Sequence, residues 1–209
     1  MSENCCVLGK AIKQNRLLAQ TDNFFVIPTK GSMGIPGYLL IVTKEHYLGF
    51  GEVPTNQYSE LLGLIDSVKG IIKSEYKLNC LVFEHGPRLN EQSGQSIDHA
   101  HLHVVPGVDI TKEWAVDMMQ RLDHQGIFYR VERVEGFERA KQIMGSKKSY
   151  LYVESPSGVQ LLSEQNFFRP SQYFRKMVAH QSGSKDWNWR KHPDYLTLEK
   201  TVEKLSGKF

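Results

Sequence analysis

The chain has 209 residues, 26 Lys plus Arg against 23 Asp plus Glu, and 40% hydrophobic, 23% charged and 11% aromatic residues. This is ordinary globular usage, which excludes disordered, collagen-like and disulfide-scaffold classes, and the length suits one domain or one domain with an appendage. The formal charge of +3 permits an anionic small substrate without marking a polynucleotide binder.

Three cysteines, Cys5, Cys6 and Cys80, make no complete disulfide set and no Cys-x-x-Cys zinc pair, so a reducing cytosol is expected. The longest apolar run, Tyr38 to Val42, is far short of the roughly 20 residues of a membrane span, and no apolar signal core opens the chain. The expectation is a soluble, cytoplasmic protein that does not meet a membrane.

In chain order, Leu17 to Ile27 reads as one or two strands, and Tyr38 to Val42, after the turn residues Gly31, Gly34, Pro36 and Gly37, closes a hairpin. From Thr55, the residues Leu61, Leu62, Leu64, Ile65, Val68, Ile71 and Ile72 share a helical face, with Thr55 or Ser59 as cap. Cys80 to Glu84 is a strand, His85 to Gln95 a polar loop, and Ile97 to Val105 a strand stopped by Pro106. Thr111 to Leu122 reads as helix, Ile127 to Val131 as strand and Val134 to Met144 as helix. Tyr150 to Glu154 and Gly158 to Leu162 form a second hairpin, followed by helices over Ser171 to His180 and Asp194 to Leu205. The expected class is α+β, a mainly antiparallel sheet with packed helices, divided into a core of residues 1–108 and an extension of residues 109–209 packed on it.

The informative stretch is His99-Ala100-His101-Leu102-His103-Val104-Val105-Pro106. Strand side chains alternate, so the three histidines are expected on one side. Eight histidines in this length give a chance His-x-His-x-His triplet an expected count of only about 0.01. Zinc is one reading, but ligands along an unbroken strand stand about 6.8 Å and 13.6 Å apart, whereas each ligand nitrogen must lie about 2.1 Å from the ion. Three imidazoles therefore converge poorly, and a metal-dependent hydrolase would need further ligands from Asp98, Glu84 or His85. Spread imidazoles suit a phosphate chain better, one ring attacking while others donate, with the middle one as the natural nucleophile. Clustering disfavours their charged forms and keeps the attacking ring neutral near pH 7.

Gly94-Gln95-Ser96-Ile97-Asp98-His99-Ala100-His101-Leu102-His103-Val104-Val105-Pro106 resembles the signature of the histidine-triad nucleotide-binding proteins, and Ile35-Pro36-Gly37-Tyr38-Leu39-Leu40-Ile41-Val42-Thr43-Lys44-Glu45-His46 resembles their Pro-Gly-His strand. The resemblance runs over roughly residues 10 to 108, with Tyr38 where many members carry a fourth histidine. It implies a histidine-triad fold, a nucleotide or nucleoside-phosphate substrate, a homodimer, and a covalent nucleotidyl-histidine intermediate, with no cofactor and no obligatory metal. By position, His101 is implied as the nucleophile, His99 and His103 as orienting and proton-handling groups, and Gln95 and Ser96 as phosphate-binding residues. Glu84 and His85, in Phe83-Glu84-His85-Gly86, fall where the family often places an asparagine near the phosphate, and are candidates for the same role.

In the extension, Phe167 to Lys176 and Asp186 to Lys191 mix aromatic and cationic residues, which suits either an amphipathic tail docked on the core or a weak nucleic-acid contact. In the helix from Ser171, helical spacing puts Phe174, Met177 and Val178 in a buried stripe and Arg175 and Lys176 toward solvent, although Ser171, Gln172 and Arg175 remain within reach of the pocket edge. The leading expectation is a nucleotidyl hydrolase or transferase acting on a phosphoanhydride or phosphoramidate. A nucleotide-binding or nucleic-acid-end-processing protein is the alternative, ahead of a metal-dependent hydrolase.

Overall fold

The computed structural model describes residues 16–86, 99–108, 110–120, 130–165 and 172–209. Eight strands form one antiparallel sheet: β1 (Ala19–Gln20), β2 (Phe24–Pro28), β3 (Leu39–Thr43), β4 (Cys80–Gly86), β5 (His101–Pro106), β6 (Val131–Arg133), β7 (Ser149–Glu154) and β8 (Gln160–Gln165). Their spatial order is β1-β2-β3-β5-β4-β7-β8-β6. With the helices below, this makes the protein α+β.

Every residue of β2, β3 and β7 is buried. Both faces of the sheet are covered, which is why Phe24-Phe25-Val26-Ile27 and Leu39-Leu40-Ile41-Val42 are unbroken apolar runs instead of alternating ones. One face meets α1 (Tyr58–Tyr76), whose buried residues Tyr58, Leu61, Leu64, Ile65, Val68 and Ile72 recur every three or four positions. Leu62, expected on that stripe, is exposed, and Ile71 is half-buried, because the stripe is narrower than the full apolar set. Neither Thr55 nor Ser59 caps the helix. A 3-10 turn over Thr55–Gln57 leads into it, and Gln57 at the cap position makes no side-chain bond.

On this face Phe50, Phe137 and Tyr152 complete an aromatic layer with α3 (Glu138–Gly145). The opposite face carries Leu40, Val42, Leu81, Phe83, Val105, Leu151 and Val153, and is covered by Ala115 of α2 (Lys112–Gln120) and Phe174, Val178 and Ala179 of α4 (Tyr173–Ser182). A last helix, α5 (Tyr195–Leu205), starts at Asp194, whose carboxylate accepts the Thr197 N–H at 3.1 Å. Among the described residues no helix is long and apolar enough to cross a membrane.

The hairpins fall where turn residues and apolar runs place them. Phe24 pairs with Thr43 and Pro28 with Leu39, while the β7–β8 turn is closed by Ser155 N–H donating to the Val159 carbonyl. The connection of β4 reaches further: it lies between β5 and β7, pairing Phe83 with His103 on one side and with Val153 on the other. Residues 149–165 thus continue the same sheet as the histidine-bearing strand.

Candidate active site

The site is built on β5. Its register sets Leu40 opposite His103 and Val42 opposite His101 on β3, and Phe83 opposite His103 on β4. Alternation then sends His101 and His103 to one face while Leu102 and Val104 enter the core beneath α1. The two rings meet edge to face with centroids 4.9 Å apart. His103 is buried and lies flat on Phe83 at 4.4 Å with 16° between planes. Phe174 of α4 packs against the same Phe83 at 5.1 Å. His101 keeps part of its surface open.

The hydrogen bonds decide which nitrogen can react. His101 Nδ1 lies 2.7 Å from the carbonyl of His99. A carbonyl only accepts, so Nδ1 carries the hydrogen and the lone pair of the neutral ring is on Nε2. His103 Nδ1 lies 2.7 Å from the Tyr38 hydroxyl. Burial in a largely apolar setting brings the His101 imidazole down to about 4, opposed by the His99 carbonyl and reinforced by His99 and the Arg175 cation. Burial, with His101 and Arg175 adding repulsion, also holds His103 well below the usual histidine range. Both rings are neutral at pH 7, so the pair presents a lone pair beside a second uncharged ring.

His99 lies just ahead of the strand and is engaged differently. Its Nε2 sits 2.7 Å from the Thr43 carbonyl and 3.0 Å from the Thr43 hydroxyl, and its ring meets His46 edge to face at 5.2 Å. Its side chain is thereby anchored to the end of β3, and its main chain holds the His101 ring. Thr43 gives its own hydroxyl hydrogen to the Glu45 carbonyl at 2.8 Å, so the hydroxyl accepts from His99. Burial depresses the His99 imidazole as well.

Glu84 is not brought to this pair. It follows Phe83 in β4 and therefore points to the opposite face. There its carboxyl, fully buried, accepts the Phe50 N–H at 2.7 Å and the Tyr150 hydroxyl at 2.5 Å. Burial raises it to about 8, against the pull of the Tyr150 and Phe50 bonds, so near pH 7 it is largely protonated. The expectation of Glu84 as a phosphate ligand is corrected by the strand's alternation. His85, one residue on, returns to the face of Phe83 and is half-buried. Gln95, Ser96 and Asp98 lie outside the described residues.

Arg175 is the second correction. Expected on the solvent side of its helix, it is 4% exposed and reaches the site. Its Nη1 donates to the Tyr38 hydroxyl at 3.3 Å and its Nη2 to the Gly31 carbonyl at 2.7 Å. Its neighbour Lys176 is exposed, and Met177 of the expected stripe is only half-buried. Sequence reasoning also passed over Phe83 and Thr43 as parts of the site. The signal for both was positional: Phe83 is flanked by the Glu84-His85 pair, and Thr43 ends the strand after Pro36-Gly37. Among the described residues no three His, Cys, Asp or Glu side chains converge as a metal site.

No family model matches the chain. An uncharacterized HIT-like protein of Methanocaldococcus jannaschii is 32% identical over 73 residues, which are 34% of this chain and 52% of that protein, so the chain spans about half the length of this curated relative. Among solved structures, a hypothetical histidine triad nucleotide-binding protein from Sulfolobus tokodaii aligns with 48% of this chain and 68% of its own at 23% identity and a TM-score of 0.40. A HIT family hydrolase from Clostridium thermocellum aligns with 53% of this chain and 96% of its own at 21% identity and a TM-score of 0.38. The His-x-His-x-His strand and its Pro-Gly-led partner strand are thus accompanied by a curated likeness to a HIT-like protein over 73 residues.

Proposed function

We propose that the protein is a nucleotidyl hydrolase or transferase that acts on a phosphoanhydride or phosphoramidate through a covalent intermediate on His101. The observation that carries this reading is the bond from His101 Nδ1–H to the His99 carbonyl at 2.7 Å. It orients the ring and leaves the lone pair on Nε2, within the field of the Arg175 cation.

In the first step Nε2 attacks the phosphorus of a nucleoside phosphoryl group, an N–P bond forms and the bond to the leaving group breaks. A phosphate leaving group departs as its anion, and an amine takes a proton from water. The ring, now bonded to phosphorus and still protonated at Nδ1, is an imidazolium whose positive charge the His99 carbonyl stabilises. In the second step the oxygen of water or of another acceptor hydroxyl attacks phosphorus, releases its proton to solvent, and breaks the N–P bond. The lone pair returns to Nε2. Arg175, at the back of the site, supplies fixed positive charge toward a phosphate without lying on the reaction path.

Intact-protein mass spectrometry tests this reading after brief mixing with adenosine and guanosine phosphoramidates and dinucleoside polyphosphates. The expected result is a mass increase equal to one nucleotidyl group in the parent chain and none in His101→Ala. Turnover by the parent with no adduct and unchanged turnover by His101→Ala would overturn the covalent mechanism.

A further inference from the structure

Arg175 is a buried guanidinium for which, among the described residues, every hydrogen-bond acceptor is neutral. Nη2 donates to the Gly31 carbonyl at 2.7 Å and the Trp187 carbonyl at 3.1 Å. Nε donates to the Trp187 carbonyl at 3.2 Å and Gln172 Oε1 at 3.3 Å, and Nη1 to the Tyr38 hydroxyl at 3.3 Å. The guanidinium also lies 5.7 Å from the centre of the Tyr38 ring. Its seat is built for it. A Cβ on Gly31 would fall 2.5 Å from Nη2 and 2.4 Å from the Trp189 Cβ, so only glycine leaves the space. Ordering and burying a side chain that has no acid bonded to it among the described residues is costly, and a helix surface needs no such group.

The consequence follows from counting hydrogens. A guanidinium has only donors, so Tyr38 must accept from it through an oxygen lone pair. Of the two hydrogen-bond partners of the phenol among the described residues, only His103 Nδ1, 2.7 Å away, can take the phenol's single hydrogen. Nδ1 becomes an acceptor, and a neutral imidazole with an accepting Nδ1 carries its hydrogen on Nε2. The Tyr38 phenol, raised to about 12 by burial in spite of Arg175, keeps its hydrogen throughout the working pH range.

We propose that Arg175 is a positioning residue that acts through Tyr38 to lock His103 as the Nε2–H tautomer, opposite to the Nδ1–H tautomer of His101. Two neighbouring rings 4.9 Å apart thereby take different tasks, one offering a lone pair and the other a hydrogen-bond donor to an oxygen of the substrate. The assignment of tasks rests on the function proposed above, whereas the tautomers do not. Helix α4 is thus part of the machinery, because it carries the residue that sets the third histidine's chemistry.

The test uses the full chain with 15N-labelled histidine rings and long-range 1H–15N correlation spectra at pH 7. His101 and His103 are assigned by the signals lost in His101→Asn and His103→Gln. The expected pattern is a protonated Nε2 with a bare Nδ1 at His103, and the reverse at His101. Tyr38→Phe and Arg175→Met should each move the His103 shifts toward an average of both tautomers, and Arg175→Lys, which restores a donor, should bring back part of the Nε2–H pattern. In the same variants kcat should fall about tenfold or more while KM changes much less, as for a group whose effect is felt at the chemical step.

A His103 that carries its hydrogen on Nδ1 in the parent chain would overturn the proposal, as would His103 shifts unmoved in Tyr38→Phe. The parent chain and Tyr38→Phe decide the matter even if Arg175→Met does not fold. A nucleotidyl adduct with the wrong His103 tautomer removes this proposal and leaves the proposed function standing. The expected tautomers without any adduct or turnover remove the function and leave the relay.

Discussion

His103 and Glu84 sit on neighbouring strands and opposite faces of one sheet, both buried, and burial acts on them in opposite senses. On the β5 face it strips the proton from the imidazoles, because their charged form is the protonated one. On the α1 face it keeps a proton on the carboxyl of Glu84, because there the charged form is the bare one. The partners differ accordingly. Tyr38 and the His99 carbonyl each hold one ring nitrogen of His103 and His101, whereas Phe50 N–H and Tyr150 enclose Glu84 within the core. Under the function proposed above, neutral histidines beside a buried arginine receive an anionic substrate. A neutral carboxyl sealed among aromatics makes a packing element that ties the 3-10 turn at Phe50–Glu52 to β4 and β7.

The strongest way to break this contrast is to remove the ring assigned to the chemistry. His101→Ala should lower kcat by at least about 1000-fold with the midpoint of denaturant unfolding nearly unchanged, measured by steady-state release of nucleotide and by urea titration. A comparable kinetic loss in Glu84→Gln, at unchanged stability, would erase the distinction between the faces.

The next prediction turns the two faces against each other through pH. Histidines held below their usual value bind fewer protons folded than unfolded as pH falls from about 6.5 toward 4, so their contribution to stability is full above 6.5 and is lost on acidification. Glu84, held up at about 8, binds its proton more strongly folded than unfolded, so its contribution is lost as pH rises from about 4.5 to 8. Glu84→Gln should therefore steepen the acid loss by about one proton, or roughly 1.4 kcal/mol per pH unit between 4.5 and 6.5, and flatten the decline between 6.5 and 8. Urea unfolding across this pH range reads both slopes, and parallel curves for the parent and Glu84→Gln would contradict a protonated Glu84.

Smallest is the effect expected at the His99 anchor. Thr43→Val removes the 3.0 Å contact with the hydroxyl but keeps the 2.7 Å bond to the Thr43 carbonyl. It should lower kcat/KM by less than about tenfold, in keeping with the modest net worth of one hydrogen bond. A loss as large as that of His101→Ala would move His99 from support to chemistry.

The order of strands and helices was largely legible along the chain. Short apolar runs bounded by Gly and Pro located β2, β3, β4, β7 and β8, and three-to-four spacing located α1, because one backbone geometry must serve each run. Helix starts were less legible. Thr55 leads a 3-10 turn without capping, just after Phe50 and Val53 enter the core. Glu84 was misplaced as a ligand because its neighbours Phe83 and His85 do share the site's face, and only the β4–β5 register shows which parity faces the histidines. Arg175 misled for a different reason. A cation next to Lys176 on an amphipathic helix normally faces water, and nothing local reveals acceptors 137 and 144 residues away, at Tyr38 and Gly31.

What the sequence alone determined is the row of imidazoles: period-two alternation places His101 and His103 on one face of a strand wherever that strand lies, and residue chemistry makes them candidates to attack and to donate. What only tertiary structure decided is which nitrogen of each ring bears the hydrogen and how strongly the rings shed charge. Those depend on a neighbouring carbonyl, on the Tyr38 phenol from β3's leading turn and on an arginine from α4, groups set by long-range packing, and on the exclusion of water that the packing brings about.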